Sequence, residues 1–439
     1  MRKGRAYNMW IAVLFIVLAL AVASVIYLMT RFRKFYIVRR LAGDSRAKRW
    51  ILSFIPILGF VIYGIFDVVN AIIVMLHYAV FWLVFDIAAA VVRRVRGEKK
   101  SNIQSETASE DETQKEDGGK DKLQYVDNEK SDKSQPTDGK KSDKSQQTDG
   151  KKIDKLQQAD GGNDAPHIYR LGIAVIITTT VYLIVGFFLA YHVYETDYTL
   201  HTEKNLGIEK LRVVQIADSH IGTTFDGDGF AEHMKTIEKT SPDVMVITGD
   251  YVDDSTTRED MIRSCEALGQ MKTTYGIYYC SGNHDKGYYQ SRDFSYDELI
   301  DELKKNGVTV LEDETVLVDD KFYIAGRKDR SDESRKTASE MTEGLDRNKY
   351  IIMLDHQPND YEAEAKSGAD LVLSGHTHGG QLIPLGFIGE YVFRANDRTY
   401  GKEVRGNTTF IVTSGIADWA IKFKTGTKSE FVVIDIISE

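Results

Sequence analysis

From Met9 to Thr30 the chain carries no charged side chain, and a run of that length reaches across the ~30 Å hydrocarbon core of a bilayer. Within hydrocarbon every backbone N–H and C=O needs an internal partner, so a lone apolar segment of this kind folds as an α-helix. The run continues through Ile26-Tyr27-Leu28-Met29, longer than the ~7 to 15 apolar residues of a signal peptide. A second apolar region, Ile51 to Val92, is interrupted mainly by Asp67, Asn70, His77 and Asp86. It is about two spans long and reads as a hairpin turning near Asp67 to Asn70. The competing reading is one span from about Ala71, preceded by an interfacial segment. A third region runs from Ile168 to Tyr191.

Basic residues near span ends set orientation. The heaviest cluster is Arg31, Arg33, Lys34, Arg39, Arg40, Arg46, Lys48 and Arg49, which assigns that loop to the cytoplasm. Arg93, Arg94, Arg96, Lys99 and Lys100 follow the middle region, and a hairpin puts both groups on the same side. Arg2, Lys3 and Arg5 disagree, but the alternative exposes the larger basic loop. Either way the chain after Tyr191 is expected outside, with Tyr191 and Tyr194 in an interfacial aromatic belt. His192 and His201 are expected to be bystanders.

Between Arg96 and Pro166 the chain is rich in Lys, Asp, Ser and Gln with one aromatic residue, Tyr125. Such a stretch cannot bury enough apolar surface to fold. Asp121, Asp132, Asp143 and Asp154 mark an eleven-residue repeat. An eleven-residue period can wind a right-handed coiled coil, but no apolar stripe accompanies it, so a solvated linker is expected. Net charge is -9, which argues against a nucleic-acid partner, since a phosphate backbone calls for a basic surface.

The last half of the chain alternates strand-length apolar runs with helix-like stretches, as in an open α/β sheet. The runs are Leu211 to Ala217, Asp243 to Thr248, Tyr275 to Cys280, Tyr350 to Leu354 and Asp370 to Leu373. The helix-like stretches include Phe230 to Lys239, Arg258 to Met271 and Tyr296 to Lys305. Each run leads into a block of metal-seeking side chains: Asp218-Ser219-His220, Gly249-Asp250, Gly282-Asn283-His284-Asp285, Asp355-His356 and Gly375-His376-Thr377-His378. Ligand sites in such sheets lie beyond the carboxyl ends of strands, so these loops can converge. Carboxylate, imidazole and one amide oxygen fit Mn, Fe or Zn better than the all-oxygen cages of Ca or Mg.

These blocks resemble, in order, the motifs of the calcineurin-like metallophosphoesterases: Asp218-x-His220, Gly249-Asp250-x-x-Asp253, Gly282-Asn283-His284-Asp285, His356, and Gly375-His376-x-His378. The resemblance covers about residues 207 to 439. It implies a four-layer α/β/β/α sandwich and two divalent or mixed-valence metal ions. Asp218, His220 and His378 would bind one ion, Asn283, His356 and His376 the other, and Asp250 would bridge them. His284 would be the catalytic histidine that binds no metal, oriented by Asp253. Two metals ~3.5 to 4 Å apart can hold a bridging hydroxide for in-line attack on phosphorus.

Asp254 stands where the protein phosphatases of the family carry arginine, the usual bidentate grip on a phosphate end. Its replacement shifts the expected substrate from monoesters toward phosphodiesters or pyrophosphates. Gly379-Gly380-Gln381 looks like the extension of membrane-attached bacterial members, and the two glycines would also serve simply as a turn. The apolar stretch from Leu382 to Gly389 is either core or a lip whose Phe387 and Ile388 admit the tail of a lipid-linked phosphoester.

The expected organisation is a transmembrane region over 1–96 (span 9–30, hairpin 51–92), a polar linker over 97–166, a final transmembrane helix over 167–194 and a catalytic domain over 195–439. Thr408 to Thr413 and Glu430 to Ile436 are expected to complete the second sheet. The expected function is a membrane-anchored phosphoesterase facing away from the cytoplasm, with membrane lipids and a phosphoester substrate as partners. A nucleotide or general phosphomonoesterase and a retired binding domain are the alternatives. Two cysteines, Cys265 and Cys280, supply no disulfide framework.

Overall fold

The computed structural model describes residues 2–113, 169–287 and 291–439; the eleven-residue repeat lies outside them. Two compact units separate: residues 1–57 with 78–175, and residues 58–77 with 176–439.

The described residues before Val193 are mainly helical: α1 (Arg2–Phe32), α2 (Tyr36–Ala42), α3 (Arg46–Phe66), α4 (Val68–Thr113) and α5 (Arg170–Tyr191). Among the described residues, α1, α3, α4 and α5 are long and apolar enough to cross a membrane. The region expected to form a hairpin is two helices that adjoin at Asp67, and the first, begun at Arg46, is long and apolar enough to cross a membrane. Asp67 accepts the backbone N–H of Asn70 at 3.1 Å, which satisfies an orphan donor at the start of α4. Helix α4 runs on to Thr113, past the expected start of the linker. Beyond Gly97 that stretch holds neither glycine nor proline, so nothing in it breaks a helix. In the first unit, Asp86 is paired with Arg31 at 2.8 Å and Tyr27 at 2.7 Å, as a carboxylate on an apolar helix requires.

The rest is two six-stranded sheets. Their strands are β1 (Val193–Thr202), β2 (Lys210–Ile216), β3 (Val244–Thr248), β4 (Ile277–Cys280), β5 (Val308–Val310) and β6 (Glu314–Val318), then β7 (Phe322–Gly326), β8 (Tyr350–Leu354), β9 (Leu371–Ser374), β10 (Gly401–Arg405), β11 (Thr408–Val412) and β12 (Ser429–Ser438). The first sheet runs β1-β12-β2-β3-β4-β5 and the second β10-β11-β9-β8-β7-β6. Strands β2 to β5 are mutually parallel. They are joined by α6 (Gly227–Glu238), α7 (Arg258–Gln270) and α8 (Tyr296–Lys305). Caps start these helices where the sequence turns polar: Asp226 accepts from Gly229, Thr257 from Asp260, and Ser295 and Glu298 form a capping box.

Strand alternation sorts the core into layers. Val213, Val246, Ile352, Leu354, Leu373 and Ile434 meet between the sheets. Val214, Met245 and Ile247 face α6, α7 and α8 through Phe230, Cys265 and Leu299. Ile351, Met353 and Phe410 face Met341 and Tyr361 on the outer side of the second sheet. This is the expected four-layer α/β/β/α order. One expectation fails: β11 joins the second sheet, but β12 inserts into the first, antiparallel to β2 and parallel to β1. Its first six residues are all buried, which suits a central strand covered on both faces. Strand β1 itself was hidden by the polar alternation of Glu195-Thr196-Asp197, the signature of an edge. Cys265 and Cys280 are buried free thiols.

Candidate metal centre

All the side chains singled out as site residues leave the carboxyl ends of parallel strands or the loops just beyond: β2 delivers Asp218 and His220, β3 Asp250 and Asp253, β4 Asn283 and His284, β8 His356, and β9 His376 and His378. Their ligand atoms form three groups, Asp218 with His220 and His378, Asp250 with His356 and His376, and His220 with Asp253 and His284. Asp250 lies between the first two: its Oδ2 is 3.0 Å from His356 Nε2 and 3.8 Å from His220 Nε2. Asn283 Oδ1 is 3.2 Å from His356 Nε2. His284 Nδ1 is 3.1 Å from Asp253 Oδ1.

Backbone strain is concentrated here. Asp218, His220, Asp250, His376 and His378 adopt φ between 38° and 71°, a region that costs a non-glycine residue ~1 to 3 kcal/mol. Such turns persist only where the surroundings fix them. Asp218 accepts the His376 N–H with both oxygens, at 2.9 and 3.0 Å, and Asp250 Oδ1 accepts the His284 N–H at 2.8 Å. At Gly282 an added Cβ would lie 2.2 Å from Asp250 Oδ1, so the motif glycine is dictated by this approach.

The donor set fits divalent ions. Both ring nitrogens of His220 are buried without a hydrogen-bond partner, an expensive state for a polar group unless something else occupies its lone pair. Burial takes the His220 and His376 imidazoles down to about 4 and His378 well below its ordinary value, so each is neutral at pH 7 and can donate a lone pair. His356 Nδ1 faces the Thr248 carbonyl at 2.8 Å and His378 Nδ1 the Ala417 carbonyl at 3.3 Å. A carbonyl only accepts, so both Nδ1 atoms carry the proton and Nε2 points at the centre. Burial, with Asp250 adding to it against the pull of His356, pushes the Asp218 carboxyl up to about 7. A cation between the two acids would reverse that shift.

Two acids in the blocks serve otherwise. Asp285 accepts the backbone N–H groups of Asp250, Tyr251, Val252 and Gly282 at 2.7 to 3.1 Å, bolting the β3 loop to the β4 loop. Asp355 pairs with Arg327 at 2.8 Å and with Arg335. The sequence pattern did not mark Gln357, whose Nε2 donates to Asn283 Oδ1 at 3.3 Å and Asp329 Oδ2 at 2.9 Å. Nor did it mark Trp419, whose ring lies 5.2 Å from that of His284. After His378, Gly379 and Gly380 are both left-handed, the turn role expected of them, while Gln381 Nε2 donates to the Ile421 carbonyl at 2.7 Å. Of the remaining histidines, His201 pairs with Glu439 at the surface and His192 stacks on Phe188.

The profile of the calcineurin-like phosphoesterases matches residues 211–380. An uncharacterized metallophosphoesterase of Aquifex aeolicus is 30% identical over 245 residues, 54% of this chain and 90% of the relative. The chain belongs to the calcineurin-like phosphoesterases. It is therefore a metal-dependent phosphoester hydrolase, in a family that generally uses two divalent ions. A calcineurin-like relative of Danio rerio, named as a transmembrane protein with metallophosphoesterase domain, is 30% identical over 239 residues, 51% of this chain and 52% of the relative. An uncharacterized metallophosphoesterase of Bacillus subtilis, YkuE, is 28% identical over 264 residues, 57% of this chain and 88% of the relative. The chain thus spans about nine tenths of two of these relatives and about half of the third.

Proposed function

We propose that this calcineurin-like phosphoesterase is a membrane-anchored dinuclear enzyme that hydrolyses phosphodiester or pyrophosphate bonds of lipid or cell-envelope substrates on the extracytoplasmic face. The convergence of Asp218, His220 and His378 into one group and of Asp250, His356 and His376 into a second, with Asp250 reaching His220 at 3.8 Å and Asn283 beside His356, carries this reading. Asp218, His220 and His378 would hold one ion, Asn283, His356 and His376 the other, and Asp250 both. Ions of the Mn, Fe or Zn type, when bound, would supply the Lewis acidity that generates a nucleophile near neutral pH and offsets phosphoryl charge.

The protein's own contribution is proton transfer and orientation. Burial pulls the His284 imidazole down, but its hydrogen bond to Asp253 and the nearby Asp250 raise it above its ordinary value. A proton held on Nδ1 by Asp253 fixes the ring, and Nε2 can give its own proton to the leaving oxygen, a role worth ~10²- to 10⁴-fold. His284→Ala is expected to retain metal and lose turnover by that factor against an aryl phosphodiester. An active His284→Ala enzyme would sink the assignment.

Two observations support a lipid-linked substrate. Phe387 is 63% exposed, and Ile383, Leu385, Tyr391, Val392 and Phe393 are exposed with it, while Ile388 is half-buried and Leu382 buried; the exposed part supports the lip reading, since apolar surface of this kind marks a binding face. The Ile383 N–H donates to Thr425 Oγ1 at 3.1 Å, and the methyl of Thr425 abuts Gly186 of α5, which sets the lip beside a membrane helix. Phe387→Ser should slow cleavage of a lipid-linked pyrophosphate and spare a soluble aryl diester; equal effects on both would remove the lip from substrate recognition. The basic residues from Arg31 to Arg49, from Arg93 to Arg96 and at Arg170 support the outward orientation, and the proposed catalytic domain begins near residue 195.

A further inference from the structure

Asn70 stands in the first turn of α4, next to the junction of two apolar helices, where a carboxamide is costly to bury unless every polar atom is paired. It is wholly buried, and two of its three partners, at Ala420 and Lys422, lie far along the chain. Its Nδ2 donates to the Ala420 carbonyl at 2.8 Å and to Asp67 Oδ2 at 2.9 Å, and its Oδ1 accepts the Lys422 N–H at 2.9 Å. The carboxamide thus closes a two-point contact on the backbone of one loop, as a neighbouring strand would. Lys422 Nζ adds an ion pair to Asp67 at 3.3 Å.

The loop so held is the one that reaches the metal centre. Its Ala417 carbonyl faces His378 Nδ1, and its Trp419 ring, 42% exposed, tilts against His284. Ala420 is left-handed, with φ 52°, a conformation that external contacts must maintain. Other ties anchor the two ends: buried Lys424 donates to the carbonyls of Ser414 and Ala417 at 2.8 and 3.2 Å, and its own N–H donates to the Gly186 carbonyl of α5 at 3.0 Å. The apex between Trp419 and Lys422 is held by Gln381 on the site side and by Asn70 on the membrane side.

We propose that Asn70 is a positioning residue for the phosphoesterase centre: the α3–α4 turn clamps the apex of this loop so that Trp419 keeps the His284 ring aligned with Asp253. The proposal rests on the assignment of His284 as the proton donor. A hydrogen-bonded carboxamide at the start of α4 would then make that helix end part of the support of the active site.

The test uses the full chain in lipid nanodiscs loaded with Mn. Asn70→Leu keeps the volume and deletes both contacts, Asn70→Asp keeps the acceptor alone, and Val69→Ala, at an exposed neighbour, is the control. Trp419 emission, taken as the difference from Trp419→Phe, and kcat and KM on an aryl phosphodiester are measured with metal content. Asn70→Leu is expected to keep its metal, shift Trp419 emission to the red and lower kcat about tenfold with little change in KM, with Asn70→Asp in between. Unchanged emission overturns the proposal whatever the activity, and so does shifted emission with unaltered kcat. If the wild-type chain cleaves no phosphoester, the functional reading has failed, and emission alone then decides whether Asn70 holds the loop. Should Asn70→Leu not fold, Lys422→Pro removes the same N–H from outside the helices, and the same two readouts apply.

Discussion

On one side of Asp250, Asp218, His220 and His378 are buried throughout; on the other, His356 is buried but His376 is partly open. The supports differ as well. The first side is braced mainly by backbone: the His376 N–H on Asp218 and the Ala417 carbonyl on His378. The second has one backbone brace, the Thr248 carbonyl on His356, and adds a chain of side chains, Asn283 to Gln357 to Asp329. Backbone braces persist as long as the fold does, whereas side-chain braces can be removed singly. The first side is the more buried half, and the second the half open to solvent.

Asp250→Asn tests whether the halves are one unit. It weakens the shared oxygen ligand, and loss of both metals by elemental analysis is expected with turnover lower on the order of 10³-fold; retention of either metal at wild-type level would show that the halves bind independently. Asp253→Asn acts next to the buried half without removing a proposed ligand, although Asp253 lies 3.7 Å from His220. It removes the carboxylate that fixes the His284 tautomer, and a kcat about 10²-fold lower at unchanged metal content is expected from a titration of rate against metal. Gln357→Leu probes the open half. It leaves Asn283 without its brace, and a metal affinity about tenfold weaker for one of the two ions is expected by calorimetry. Equal weakening of both ions would erase the distinction between the halves.

How much of this a sequence can disclose depends on how local the cause is. Asp218, Asp250, Asn283, His356 and His376 were legible as candidates because each follows a strand-length apolar run, and Gly249, Gly282 and Gly375 mark three of the exits, so position and chemistry coincide within a few residues. Asp285 and Asp355 carry the same signature but bond to backbone amides and to arginines; a carboxylate looks alike in sequence whether it awaits a cation or a peptide N–H. Strand β12 was found, but its sheet was not, since alternation reports which faces are buried and not which neighbour is hydrogen-bonded. Asn70 was visible only as an interruption of an apolar run. Its partners at Ala420 and Lys422 are main-chain groups, which leave no trace in residue identity.

One residue, His192, separates the end of α5 at Tyr191 from the start of β1 at Val193, and Ser429 of the adjacent strand donates to the Ala190 carbonyl at 2.7 Å. A tether of that length permits no swivel. A phosphoesterase carried on a long flexible stalk could sample bonds at many heights above a bilayer; with α5 as the proposed membrane anchor, this junction would instead act as a ruler, admitting a scissile phosphorus at the one elevation it sets.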